Sequence, residues 1–268
     1  MICTAALAAG PAVSHEFWID APEYQVETGQ EVTAFLRNGQ KFKGIDLAYF
    51  PRRIVLFDRI DAGGRSAVTQ RPGDSPAFQA SSAPDGLLTL VYQSTHDTVN
   101  YAKWEKFQSF ADHKAFGDVL SKHRARGLNE QTFRETYARF AKALIGVGGA
   151  AGQDAPRGLE IELVALKNPY VDDLPDGLPV QVLYREKPRI GAQVEIFERR
   201  SDAPDAGPAR ITTVLTNDDG IALIPVKAGH DYLLDNVILR APAPALAEAK
   251  GAVWETLWAA LTFAVPDR

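Results

Sequence analysis

Thiols are almost absent from this chain, which has one cysteine, Cys3, and one methionine in 268 residues. A chain so poor in cysteine has no disulfide framework and no cysteine-ligated metal centre. Histidines are also few. Five of them exclude a histidine-rich metal sponge but not one structured site. No apolar run is long enough to span a bilayer, and the C-terminal GAVWETLWAALTFAV is both short and interrupted by Glu255, so the protein is not itself transmembrane. Catalytic signatures are missing as well: there is no Gly-x-Ser-x-Gly elbow, no His-Glu-x-x-His and no phosphate-cradling glycine loop. Asp58 and Asp61 have a spacing common in ordinary loops, so no enzyme is expected. Positive charge is not in surplus either. With 34 acidic against 29 basic residues, the net charge of −5 argues against a nucleic-acid partner. Lys103, Lys106, Lys114, Lys122, His123, Arg124 and Arg126 do cluster, but acids interrupt them, and the run reads as a solvated helix face.

What is present suits a water-soluble globular protein: 46% apolar and 24% charged residues, in a length that buries one large core or two ordinary ones. The opening MICTAALAAGPAVS is small and apolar. It ends with Ala12 and Ser14 in the two positions that a signal peptidase reads, although a charged start is lacking. Cleavage after Ser14 is therefore expected, with export to the periplasm. His15 would then be the first residue of the mature protein. An N-terminal histidine presents its α-amine and its imidazole Nδ1 to one ion as a ready-made chelate, and such nitrogens suit Ni, Co, Cu and Zn.

Four segments follow from the patterning. After the leader, 1–14, residues 15–101 read as short strands and turns, with EVTAFLRN, RIVLFDRI and LLTLVYQST set between Gly, Pro and Asp punctuation. Residues 102–157 read as a helical segment and linker. Trp104, Phe107, Phe110, Phe116, Val119 and Leu120 recur at helical spacing, and Phe133, Tyr137, Phe140 and Leu144 predict a second amphipathic helix with Asn129 as its N-cap. Residues 158–268 return to strands, among them YLLDNVILRA and WETLWAALTFAV. The expected fold is mostly β, with two immunoglobulin-like or transthyretin-like sandwiches joined by the helical segment. TNDDGIALIPV reads as a tight turn rather than a calcium loop, because its oxygen-ligand spacing is incomplete.

The stretches HEFWIDAPEYQVETGQEVTAFLRNGQKFKG, YAKWEKFQSF, ETYARFAKALIGVG, PVQVLYREKPRIGAQVEIFERR, TVLTNDDGIALIPVKAG and WETLWAALTF resemble, in that order, the DUF4198 family. The resemblance covers residues 15 to 268. It implies an exported protein of two β-domains that handles a transition metal, as a periplasmic component of cobalt or nickel uptake. The partner would be a membrane metal transporter or an outer-membrane receptor.

The candidate metal ligands are His15, His96 and Glu16. His96 lies beside Asp97, which could orient its imidazole. His113 and His123 cannot share an ion on a straight helix, since ten residues separate them by about 15 Å of rise. His123 is expected to face solvent, and His230 to begin a strand after a glycine turn, at the surface. Two other functions remain open: an adhesive or structural two-sandwich module without metal, and a copper oxidase built on an N-terminal histidine brace.

Overall fold

Strand-forming residues dominate from the first described residue onwards. The computed structural model describes residues 15–205 and 207–267, so the expected leader and its cleavage junction at Ser14 lie outside the described residues. The first run holds β1 (Glu16–Asp20), β2 (Gln25–Val26), β3 (Val32–Gln40), β4 (Lys43–Leu47), β5 (Ile54–Asp61), β6 (Gly64–Ala67), β7 (Phe78–Ala80), β8 (Gly86–Ser94) and β9 (Asp97–Tyr101). Two helices follow, α1 (Trp104–His113) and α2 (Val119–Ala125), and then β10 (Phe133–Val147). The remainder comprises β11 (Ile161–Ala165), β12 (Leu178–Tyr184), β13 (Lys187–Pro188), β14 (Gln193–Arg200), β15 (Arg210–Leu215), β16 (Ile221–Ile224), β17 (His230–Arg240), the helix α3 (Pro244–Lys250) and β18 (Trp254–Val265).

These strands form three sheets. The largest runs β15-β14-β17-β18-β10-β8-β5-β6, with β2 and β9 also paired to β10. β1, β3, β4 and β7 form a second sheet, and β11, β12, β13 and β16 a third. The fold is thus mostly β, as expected. One sheet, however, takes strands from both segments that the sequence divides, joined where β10 runs parallel to β18 with Glu135 opposite Trp254.

The second expected helix is instead the strand β10. Of its fifteen residues only Arg134 and Tyr137 escape full burial. A strand covered on both faces reads as a nearly continuous apolar run, because it has no solvent face to impose alternation. A helical stripe can then be picked out of it by chance. Asn129 does capture backbone amides, accepting from Gln131 N at 2.7 Å and Thr132 N at 3.3 Å. That Asx turn opens a strand rather than a helix. The first helical run is present as α1 and α2, and its aromatic stripe packs with Tyr101, Phe133, Trp254 and Trp258 in a small core of its own. TNDDG is a tight turn: Asn217 Oδ1 accepts from Asp219 N and Ile221 N, and Gly220 takes the left-handed φ of +70°. Its flanking strands diverge, β15 into the large sheet and β16 into the third.

β1 is the element that positions His15. All five of its residues are buried, as the run Glu-Phe-Trp-Ile-Asp favours once its two acids are paired. Phe17 meets the Tyr92 ring at 4.9 Å and Trp18 the Phe42 ring at 5.7 Å. Thr262 Oγ1 of β18 donates to the Ile19 carbonyl at 2.6 Å, and Asp20 accepts from Arg199 of β14 at 2.8 Å and pairs with Arg37. β1 is therefore clamped to the large sheet, and His15 directly precedes it.

Candidate functional site

His15 is exposed at the edge of a cleft of about 520 Å³. Asn38 of β3 stands beside it; Thr98 to Tyr101 of β9 and Lys103 and Lys106 at the start of α1 form another wall; Glu135, Tyr137 and Arg139 of β10 with Trp258 of β18 supply the remainder. Alternation along β10 sends residues 135, 137 and 139 to one face of the sheet, and the parallel register sets Arg139 opposite Trp258. Three residues spaced by two thus become a single lining.

Two buried charges of opposite sign stand in this lining, Glu135 and Arg139. Glu135 is buried and accepts hydrogen bonds from Tyr101 Oη at 3.0 Å and from Thr256 Oγ1. Burial pushes its carboxyl up to about 7, against the opposing effect of those donors and of Arg139. Arg139 is only 9% exposed. Its guanidinium lies 4.3 Å from the Trp258 ring centroid and 5.0 Å from that of Tyr137, and its Nη1 has no hydrogen-bond partner among the described residues.

Glu16 faces a buried charged cluster. Its carboxylate accepts from Lys41 N at 3.2 Å, and burial, with Asp235 and Glu195 nearby, raises its pKa to about 7. In that cluster Lys114 Nζ donates to Glu195 at 2.5 Å and to Asp235 at 2.7 Å, while His113 Nε2 contacts Glu195 at 3.1 Å. Desolvation opposes the charge on Lys114, but its two carboxylates hold it above the usual lysine range. Glu16 is thus spent on an amide and on this cluster rather than turned out to solvent beside His15.

His96 is elsewhere. Its Nε2 meets Glu255 at 3.0 Å, and Glu255 also receives Arg240 Nε at 2.7 Å. Glu255 and Thr256 are consecutive on β18, so their side chains leave opposite faces of the sheet. Thr256 bonds Glu135 in the cleft, which puts His96 across the sheet from His15. The expected ligand set of His15, His96 and Glu16 is not assembled, and Asp97 is not the partner of His96. Among the described residues no three histidine, cysteine, aspartate or glutamate side chains are grouped to hold a metal ion.

The remaining histidines are accounted for structurally. His123, expected in solvent, is fully buried: Nδ1 accepts from Trp254 Nε1 at 2.9 Å, which leaves Nε2 to donate to the Asn129 carbonyl at 3.2 Å. Desolvation lowers its pKa, consistent with a neutral ring. His230 Nδ1 contacts the Ala228 carbonyl at 2.8 Å, and the residue opens β17 directly after the Gly229 turn, as expected. Sequence reasoning missed the cleft itself. The signal open to it was three polar or aromatic residues at every second position, Glu135, Tyr137 and Arg139, inside a segment read as helical.

Comparison with known proteins gives one family. A family model described as "Domain of unknown function (DUF4198)" matches residues 12–238. No curated protein matches the chain. Among solved structures, a Salmonella alpha-2-macroglobulin reacted with methylamine is 14% identical, with a TM-score of 0.23, 98% of this chain covered and 15% of that one. An E. coli alpha-2-macroglobulin is 13% identical, with a TM-score of 0.20 and the same coverages. The D0-D1 domain of intimin is 12% identical, with a TM-score of 0.19, covering 93% of this chain and 97% of that one. The chain spans about 15% of the length of the two macroglobulins, and at these TM-scores the likeness assigns neither fold nor function. Among the described residues no helix is long and apolar enough to cross a membrane.

Proposed function

From the premise that the chain belongs to the DUF4198 family, we propose that it captures a transition-metal ion, Ni, Co, Cu or Zn, at His15 and passes it to a membrane transport system. The observation that carries this reading is the position of His15, exposed in the lining of a cleft and directly before a fully buried strand that begins at the next residue. Export and cleavage after Ser14 belong to the same proposal, because they free the α-amine that chelates together with Nδ1. His96 and Glu16 are left out of the ligand set for the reasons given above.

Protons compete for both nitrogens, so affinity falls on acidification. Calorimetric titration of Ni into protein that begins at His15, repeated on His15→Ala, tests the assignment directly. One equivalent bound by the first and none by the second supports it; equal binding by both overturns it.

A second reading rests on a different surface. β15 is an edge strand of the large sheet, and its Ile211 and Leu215 are exposed, which suits a two-sandwich interaction module that needs no metal. Such a module would bind its partner equally well with or without residues added before His15.

A further inference from the structure

Arg139 has no role in nitrogen ligation at His15, yet it has the strongest unmet bonding capacity in the cleft. A guanidinium carries five N–H donors and no acceptor. Leaving one of them buried without a partner costs free energy, so the Nη1 donor has capacity for a further acceptor. Trp258 at 4.3 Å and Tyr137 at 5.0 Å both crowd this guanidinium. The N–H bonds of a guanidinium lie in its own plane, so its hydrogen bonds are made edge-on. That is the geometry in which arginine takes a carboxylate with two parallel bonds.

The nearest acid of the lining does not satisfy it. Glu135 is already engaged by Tyr101 and Thr256 and makes no hydrogen bond to Arg139. Lys103 and Lys106 add positive charge to the wall, and the space of about 520 Å³ falls within the range that holds small organic ligands. Tyr137 is only partly buried and offers apolar surface for the rest of such a molecule, while Tyr101 and Trp258 also line the cleft but are nearly covered.

We infer that the cleft binds a small organic carboxylate, its carboxylate group seated on the in-plane donors of Arg139 and its body against the aromatic lining. This goes beyond metal capture and does not depend on it, since Arg139 is set in the cleft by β10 and supplies no ligand to an ion at His15.

The test is titration of malonate, benzoate and inorganic phosphate into metal-free protein, followed by calorimetry and by the tryptophan fluorescence to which Trp258 contributes. At least one of the two acids binds saturably and perturbs the fluorescence. Arg139→Gln weakens that binding by about ten- to a hundred-fold, as the loss of a charge-assisted hydrogen bond predicts. Arg139→Lys keeps the charge but loses the fork and falls between the two. Should Arg139→Gln fail to fold, Lys106→Gln weakens binding several-fold from the wall of the same cleft. Ni titrated into the same Arg139→Gln protein reads metal capture separately, since Arg139 supplies no nitrogen ligand, so failure of one reading is distinguishable from failure of the other. Absence of saturable binding by both acids overturns the inference. So does affinity unchanged in the arginine or lysine variant, and phosphate that binds as tightly as the better acid overturns the carboxylate assignment.

Discussion

Two carboxylic acids of the large sheet are shifted in opposite directions, and their signs can be read in stability. Glu135 is pushed up to about 7 by burial, whereas burial of Glu255 is overcome by hydrogen bonds from His96 and Arg240, which hold it at about 2. A carboxyl raised in the folded state keeps its proton after the unfolded chain has lost it, so stability falls as pH rises from about 4.5 to about 7. Glu135→Gln removes that slope, and urea midpoints across this window should show the variant gaining on the parent as pH rises. Glu255 acts in the other sense. Its contribution is complete above about 4.5 and is lost as pH falls towards 2. His96→Ala removes a partner of Glu255 and lowers acid stability, while Ni affinity stays unchanged because the imidazole is across the sheet from His15. A drop in Ni affinity in that variant would contradict the placement. Contacts between residues far apart in the chain were not legible from the sequence: His96 and Glu255 are 159 positions apart, and His123 and Trp254 are 131 apart.

β10 sets the balance at the scale of elements. One face of this strand gives Glu135, Tyr137 and Arg139 to the cleft, and the other buries Lys142 between Asp154 at 2.8 Å and Glu162 at 3.0 Å. All three of these charges are at most 2% exposed. Lys142→Ala strands two buried carboxylates and should cost about 3–5 kcal/mol in a denaturation experiment. A cost below about 1 kcal/mol would show that the acids are solvated or protonated instead. Much of the element order was legible. β17 and β18 stand out as apolar runs, α1 as a stripe of aromatics at helical spacing, and the Asn217–Gly220 turn by its chemistry. β10 was not, because burial on both faces erased its alternation and Phe133, Tyr137, Phe140 and Leu144 happen to fall on a 3.6-residue period. With β10 taken for a helix, Arg139 and Trp258 could not be seen as neighbours, and the cleft disappeared with them.

For the molecule as a whole, the parallel pairing of β10 and β18 makes one sheet from distant segments, and β1 is fastened across it by Thr262 and Arg199. Because both chelating nitrogens belong to residue 15, the unfolded chain keeps them, and metal at a hundred times its dissociation constant should add less than the about 2.7 kcal/mol that mass action gives for a ligand confined to the folded state. His15 carries the central claim, so the most direct test is the effect of what precedes it. Ni is titrated into two preparations, one beginning at His15 and one carrying a single alanine before it. The account predicts one equivalent bound by the first, and affinity at least about tenfold weaker in the second, where a peptide bond occupies the chelating nitrogen. Equal affinity in the two, or no binding by the first, would contradict it.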